Sequence, residues 1–116
     1  MKKKYYHAAP SNGLTLLFHK QRALQKRLGT DVYSQQFITT MTVALIDELM
    51  EALRETPWKP WKKQQAYNRE AFKNELIDAW HFLINLSLAS GMTANEVIAR
   101  YLIKNKENHG RKKRGY

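Results

Sequence analysis

Apolar residues recur every three or four positions through most of this 116-residue chain, and no stretch alternates strictly enough to suggest a strand. That spacing places apolar side chains along one face of a helix. The first predicted helix runs from about Leu14 to Leu28. Leu14, Leu17, Phe18, Gln21, Leu24, Gln25 and Leu28 share its spacing, so Gln21 lies on or beside the apolar stripe. Ser11 or Asn12 can cap it and Gly29 ends it. The second runs from about Ser34 to Glu55, with Phe37, Met41, Leu45, Leu49 and Leu53 as its stripe. Pro57 and Pro60 interrupt any helix in the following "TPWKPWKKQQAYN". Trp58 and Trp61 suggest a packed loop there rather than a tether. The third helix runs from about Asn68 to Ser90 and ends at Gly91. The fourth starts at Thr93, where "TANE" fits a capping box with Glu96 reaching back. It continues through Val97, Ile98, Tyr101 and Leu102. The expectation is an all-α fold, a small four- to five-helix bundle. A single domain spans 13–116, behind a flexible basic N-terminus at 1–12 and with a basic C-terminal tail at 104–116.

Charge changes the picture more than composition does. Twenty basic residues against ten acidic ones leave a net charge of +10. An excess of that size points to a polyanionic partner: nucleic acid, anionic membrane or phosphorylated small molecules. The basic residues gather at the ends, in Lys2–Lys4 and in Lys104, Lys106, Arg111, Lys112, Lys113 and Arg114. The ordinary reading of such ends is a solvated, partly disordered segment. No cysteine is present, which excludes disulfides and thiolate metal sites and suits a reducing compartment. The N-terminus has no apolar run behind its positive start, so a signal peptide is not expected. The most apolar stretch is broken by His81, Asn85 and Ser87 and is too short and polar to span a membrane.

The candidate chemistry lies in two acidic pairs. The second helix carries Glu48-Leu-Met-Glu51 and the third carries Glu75-Leu-Ile-Asp78. Residues three apart are neighbours on a helix, so each pair projects from one face. If the helices pack antiparallel, four carboxylates converge. They then raise one another's pKa unless something neutralises them. A hard divalent cation such as Mg²⁺, which takes oxygen ligands, does so. Salt bridges to Lys or Arg are the competing explanation. Acids at this spacing are common on exposed helix faces, but the apolar neighbours of Glu75 and Asp78 make exposure harder to arrange. His81 and Asn85 extend the same polar line. A lone histidine in an apolar helix is more often a hydrogen-bonded core residue than a ligand. Here it follows the acids by one turn, which makes contact with a bound base plausible.

Four blocks of the chain resemble the all-α nucleotide pyrophosphohydrolases, the superfamily of the MazG-type enzymes and the dimeric dUTPases. Within it they are most similar to the phage dCTPase-dUTPases. The blocks are "KQRALQKRL" (20–28), "DELMEAL" (47–53), "ELIDAWHFLINLSLASGM" (75–92) and "YLIKNKENHGRKKRGY" (101–116), with "KPWKK" (59–63) resembling the Trp-Lys loop between the metal helices. The resemblance implies a MazG-like bundle that hydrolyses dUTP, dCTP or both to the monophosphate and pyrophosphate with Mg²⁺. It implies Glu48, Glu51, Glu75 and Asp78 as metal ligands, with Glu48 also orienting or deprotonating the attacking water. Gln21, His81 and Asn108 would face the base, with Phe82 or Trp61 packing on it. Lys104, Asn105 and Arg111 would hold phosphates, with Lys62 as a further candidate. Asn85 receives no functional role, and a hydrogen bond to a neighbouring helix is the most that is expected of it.

Two departures stand out. Arg111-Lys112 occupies the place of the family's Arg-Gln, and the chain lacks much of the insertion that relatives carry between the metal helices and the terminal signature. With little chain to close over a nucleotide, a homodimer or higher homo-oligomer is expected to complete the pocket. The cytoplasm is the expected location, that of the host if the chain is phage-encoded. One alternative is a MazG-type enzyme of broader or modified-nucleotide specificity. Another is a basic helical module that binds nucleic acid, which would show steep salt dependence but gives no reason for paired acids.

Overall fold

The computed structural model describes residues 13–115, so the expectations for residues 1–12 lie outside the described residues. Among the described residues there are four helices and no strand: α1 (Gly13–Leu28), α2 (Gln35–Arg54), α3 (Arg69–Ala89) and α4 (Ala94–Lys113). None is long and apolar enough to cross a membrane.

The helix ends follow the local chemistry of the sequence. Ser34, Asn68 and Thr93 are N-caps whose side chains accept from the backbone N–H three residues on, at Phe37, Ala71 and Glu96. Each satisfies a donor that the first turn leaves without a partner. At the end of α1, Thr30 N donates to Gln25 O and Gly29 N to Lys26 O. This paired closure needs a left-handed residue, and Gly29 supplies it at φ 70°. Two local expectations change. The capping box at Thr93 is only half formed, because Glu96 Oε2 turns to Arg100 Nε at 2.7 Å instead of reaching back. The segment 104–113, read from its charge as a tail, is helical through Lys113.

Packing is uneven. Phe18, Ile84, Leu88 and Ala94 form one buried cluster, with Leu14 and Val97 against it. It ties α1, α3 and the first turn of α4 together, and Leu88 is its fully buried centre. The longest helix contact is between α2 and α3. Asn68 N donates to Glu55 O at 2.9 Å, so α3 starts beside the point where α2 ends, and the two run antiparallel. Ala52 and Ala79 are both buried. They stand four residues after Glu48 and Glu75 respectively, one turn along the same face. Small side chains there allow the two helices to approach closely.

The loop between them is less packed than its tryptophans suggest. Trp58 and Trp61 meet edge to face at 5.6 Å, but Trp61 remains 70% exposed. Gln65 holds the loop's shape instead, accepting from Lys59 N and donating to the carbonyls of Lys59 and Lys62.

Candidate active site

The antiparallel pairing of α2 and α3 decides which acids meet. Glu48 lies seven residues before the Glu55–Asn68 junction and Glu75 lies seven after it, so at ~1.5 Å per residue both sit about 10 Å from it. Glu51 is nearer the junction by one turn and Asp78 farther by one turn. The observed geometry matches this ladder. Carboxylate oxygens of Glu48, Glu51 and Glu75 all lie within 4.8 Å of one another. Asp78 is not part of that cluster, and its side chain is exposed. Its charge nevertheless acts on Glu48.

Among the described residues nothing cationic neutralises the three acids. The ion pairs among the described residues are Lys73–Glu70, Arg100–Glu96 and Arg111–Glu107, and none involves the cluster. Oε2 of Glu48 is buried and has no hydrogen-bond partner. In a group of acceptors, only a shared proton or a cation can relieve such an atom. The contact with Glu75, followed by burial and the charges of Glu51 and Asp78, pushes the Glu48 carboxyl up from 4.5 to about 7. Glu51 is also raised, chiefly by its contact with Glu75 and then by burial. An orphaned buried oxygen in a set of hard oxygen donors fits a divalent cation. The salt-bridge explanation for these acids has no support among the described residues.

One turn beyond Asp78, α3 meets α1 through a polar network. Gln21 Nε2 donates to Asn85 Oδ1 at 2.9 Å, and Gln21 Oε1 lies 2.8 Å from His81 Nδ1. Asn85 Nδ2 donates to Met41 Sδ of α2 at 3.4 Å. Gln21 and Asn85 are buried, while His81 is exposed at the edge. Beside the network a hollow of about 310 Å³ is lined by Leu17, Lys20, Gln21, Ile77, Trp80, His81 and Ile84. Sequence reasoning gave Asn85 at most a hydrogen bond to a neighbouring helix, and the fold supplies that bond, to Gln21 of α1. The available signal was its spacing of four from His81, opposite a glutamine that also breaks an apolar stripe.

The other expected site residues are more scattered. Phe82 is half-buried, seven residues after Glu75 and so on the same face of α3. Lys62 and Trp61 belong to the loop, where Lys62 lines a hollow of about 500 Å³ together with Arg54 and Lys59. Lys104, Asn105, Asn108 and Arg111 are exposed on the outer half of α4, and Arg111 pairs with Glu107 at 2.9 Å. Within one chain, the cluster that anchors α4 involves its first turns, at Ala94 and Val97.

Comparison with known proteins places the chain in a family. The family model described as dUTPase matches residues 13–93, which include the network and all four acids. The dCTP pyrophosphatase of Enterobacteria phage LZ5 is 39% identical across 71 aligned positions, covering 51% of this chain and 41% of the relative. The dCTP pyrophosphatase of Enterobacteria phage T4 is 34% identical across 71 positions, covering 51% of this chain and 42% of the relative. The chain therefore spans about two-fifths of the length of these curated relatives. No solved structure matches.

Proposed function

As the chain belongs to the all-α dUTPase family, we propose that it hydrolyses dUTP, dCTP or both to the monophosphate and pyrophosphate, with Mg²⁺ as cofactor. The observation that carries this reading is the meeting of Glu48, Glu51 and Glu75 around a buried oxygen with no partner. The phage relatives named dCTP pyrophosphatases support the substrate class.

Glu48, Glu51, Glu75 and Asp78 would hold the metal ion. When bound, Mg²⁺ supplies charge neutralisation for the phosphates and helps to order a water. Glu48 has the second task of orienting that water and taking its proton. Gln21 and His81 face the base, and Phe82 or Trp61 packs on it. Lys62 lies near enough in sequence to the metal helices to reach a phosphate from the loop.

The terminal residues require a second copy. Lys104, Asn105, Asn108 and Arg111 suit base and phosphate contacts in their chemistry, and the arginine offers a fork for phosphate oxygens. They project from a helix half with little packing in its own chain. Apolar side chains on α1 and α3 are likewise uncovered: Leu17 is 45% exposed, Ile77 and Trp80 54% each, and Leu83 46%. Contiguous exposed apolar surface marks an association site. A homodimer or higher homo-oligomer would cover this surface and bring one copy's α4 to the other's acids. The cytoplasm, where nucleotide pools are held, is the proposed location.

The test is hydrolysis of dUTP, dCTP, dTTP, ATP and GTP with and without Mg²⁺, with products resolved as mono- or diphosphate. Mg²⁺-dependent release of pyrophosphate from dUTP or dCTP is expected. Preference for ATP or GTP would favour a MazG-type enzyme of broader specificity. Tight DNA binding without any hydrolysis would favour the nucleic-acid module.

A further inference from the structure

Asn85 is 3% exposed and Gln21 5%, so their amides are bonded to one another in place of water. Buried amides of this kind are placed by their partners. The partners here determine which way each amide points. Gln21 Nε2 faces two oxygens, Asn85 Oδ1 at 2.9 Å and the His81 carbonyl at 3.5 Å. Reversing the Gln21 amide would set its oxygen against that carbonyl. Reversing Asn85 as well would turn its oxygen toward Met41 Sδ, now 3.4 Å from its NH₂ group. Sulfur is a weak acceptor and donates nothing. Donation therefore runs in one consistent direction, from His81 through Gln21 and Asn85 to Met41.

That direction determines the state of the imidazole. Gln21 Oε1 can only accept, so His81 Nδ1, at 2.8 Å, must carry the proton. A neutral His81 then has its lone pair on Nε2, which has no protein partner among the described residues. Free histidine prefers the other tautomer, so the network imposes this one.

We propose that Asn85 is a positioning residue for base recognition: by orienting the Gln21 amide it holds His81 in the Nδ1–H tautomer, so that Nε2 meets the nucleotide as a hydrogen-bond acceptor. This rests on the reading that the base lies against Gln21 and His81. Uracil offers N3–H on its pairing edge and cytosine offers its N4 amino group. A single acceptor can therefore serve either base after a small shift, in keeping with a family named for dUTP and relatives named for dCTP. An imidazole presenting Nε2–H would offer a donor to both of these donors and weaken binding of each.

The test uses the full chain and two measurements. Two-dimensional ¹H–¹⁵N spectra of the imidazole, taken at alkaline pH, read the tautomer directly. The expected result is Nδ1 protonated and Nε2 bare in the unsubstituted protein. In Asn85→Leu the Nε2–H form should become the major one. Asn85→Asp, which still accepts from Gln21 Nε2, should keep the Nδ1–H form. In steady-state kinetics Asn85→Leu should raise KM for dUTP and dCTP together by about tenfold, the scale of one hydrogen bond, with kcat changed much less. Asn85→Asp should recover most of that loss. An Nε2–H tautomer in the unsubstituted protein overturns the proposal even if no variant folds. A change in KM without a change in tautomer overturns the route through His81 and leaves the base assignment intact. A change in tautomer without any change in KM overturns both the recognition role and the placing of the base in this groove.

Discussion

On the side of α3 that faces α2, Glu75 meets Glu48 and Glu51, and three acceptors share a space with no donor among them. On the side that faces α1, Asn85, Gln21 and His81 interlock donor to acceptor at 2.8–2.9 Å. The two clusters stand on one helix, within three turns of each other, and both break an apolar surface. They differ in what they lack. The amide network is complete within the protein and can hold a geometry without help. The acid cluster is incomplete, stores repulsion, and is relieved only by a proton or a cation. Unsatisfied buried charge carries a cost that a fold retains where a ligand removes it. On the proposed function, the acid cluster is the reactive centre and the amide network is a support that orients a contact.

The sharpest way to break this contrast is to neutralise one acid. Glu75→Gln and Asp78→Asn are each expected to lower Mg²⁺-dependent turnover by about a hundredfold or more, because charge neutralisation on the phosphates is lost. Without metal, Glu75→Gln should melt at the same temperature or higher, since it relieves repulsion. A loss of folding together with activity would mean that the acids are structural.

A change in the common support should weaken both sides together. Leu88, fully buried where α1, α3 and α4 meet, should cost about 2–5 kcal/mol on Leu88→Ala. Chemical denaturation checks this. Activity measured well below the new midpoint should fall far less than in Glu75→Gln.

Arg111→Ala tests the proposed completion of the site by a second copy. KM is expected to rise by about tenfold through loss of a charged phosphate contact. Mixing it with inactive Glu75→Gln should restore some activity, because a mixed dimer then has one intact site. No recovery on mixing, with confirmed exchange of subunits, would place Arg111 and the acids in the same copy.

The smallest effect is on pH dependence. The Glu48 carboxyl is raised in the folded chain from 4.5 to about 7, so between those values the folded state holds a proton that the unfolded state releases. Its contribution to stability is full below about 4.5 and is lost as pH rises through about 7. The metal-free protein should therefore melt at a lower temperature at pH 7.5 than at pH 5.5, and Glu48→Gln should flatten the difference. Saturating Mg²⁺ should also flatten it.

The sequence was most legible where one residue type does one job. The four helices, the cap at Thr93 and the breaks at Gly29 and Gly91 follow from local chemistry, and the observed ends differ by a residue or so. The pairing of the acids was legible too, since i, i+3 spacing fixes a face. The exclusion of Asp78 from the tight cluster was not read: Glu51 and Asp78 lie one turn to either side of the Glu48–Glu75 level, and only the side-chain positions decide that Glu51 joins it. The role of Asn85 depended on a contact with Gln21 across sixty-four residues of sequence, so its spacing from His81 marked a polar line without naming the partner. Charge misled at the C-terminus. Lys104 to Lys113 were read as a tail because of their repulsion, but the Glu107–Arg111 pair at i, i+4 and the continuing helical register keep the segment helical.

Calorimetric titration of Mg²⁺ into the metal-free protein at about pH 6.5, run in two buffers of different ionisation heat, tests the central claim most directly. Below the raised pKa of Glu48 the cluster holds a proton, and a cation that displaces it releases that proton to the buffer. The account predicts saturable binding, a heat that depends on the buffer, and loss of both in Glu75→Gln. Absence of saturable binding, or identical titrations for the two proteins, would contradict it.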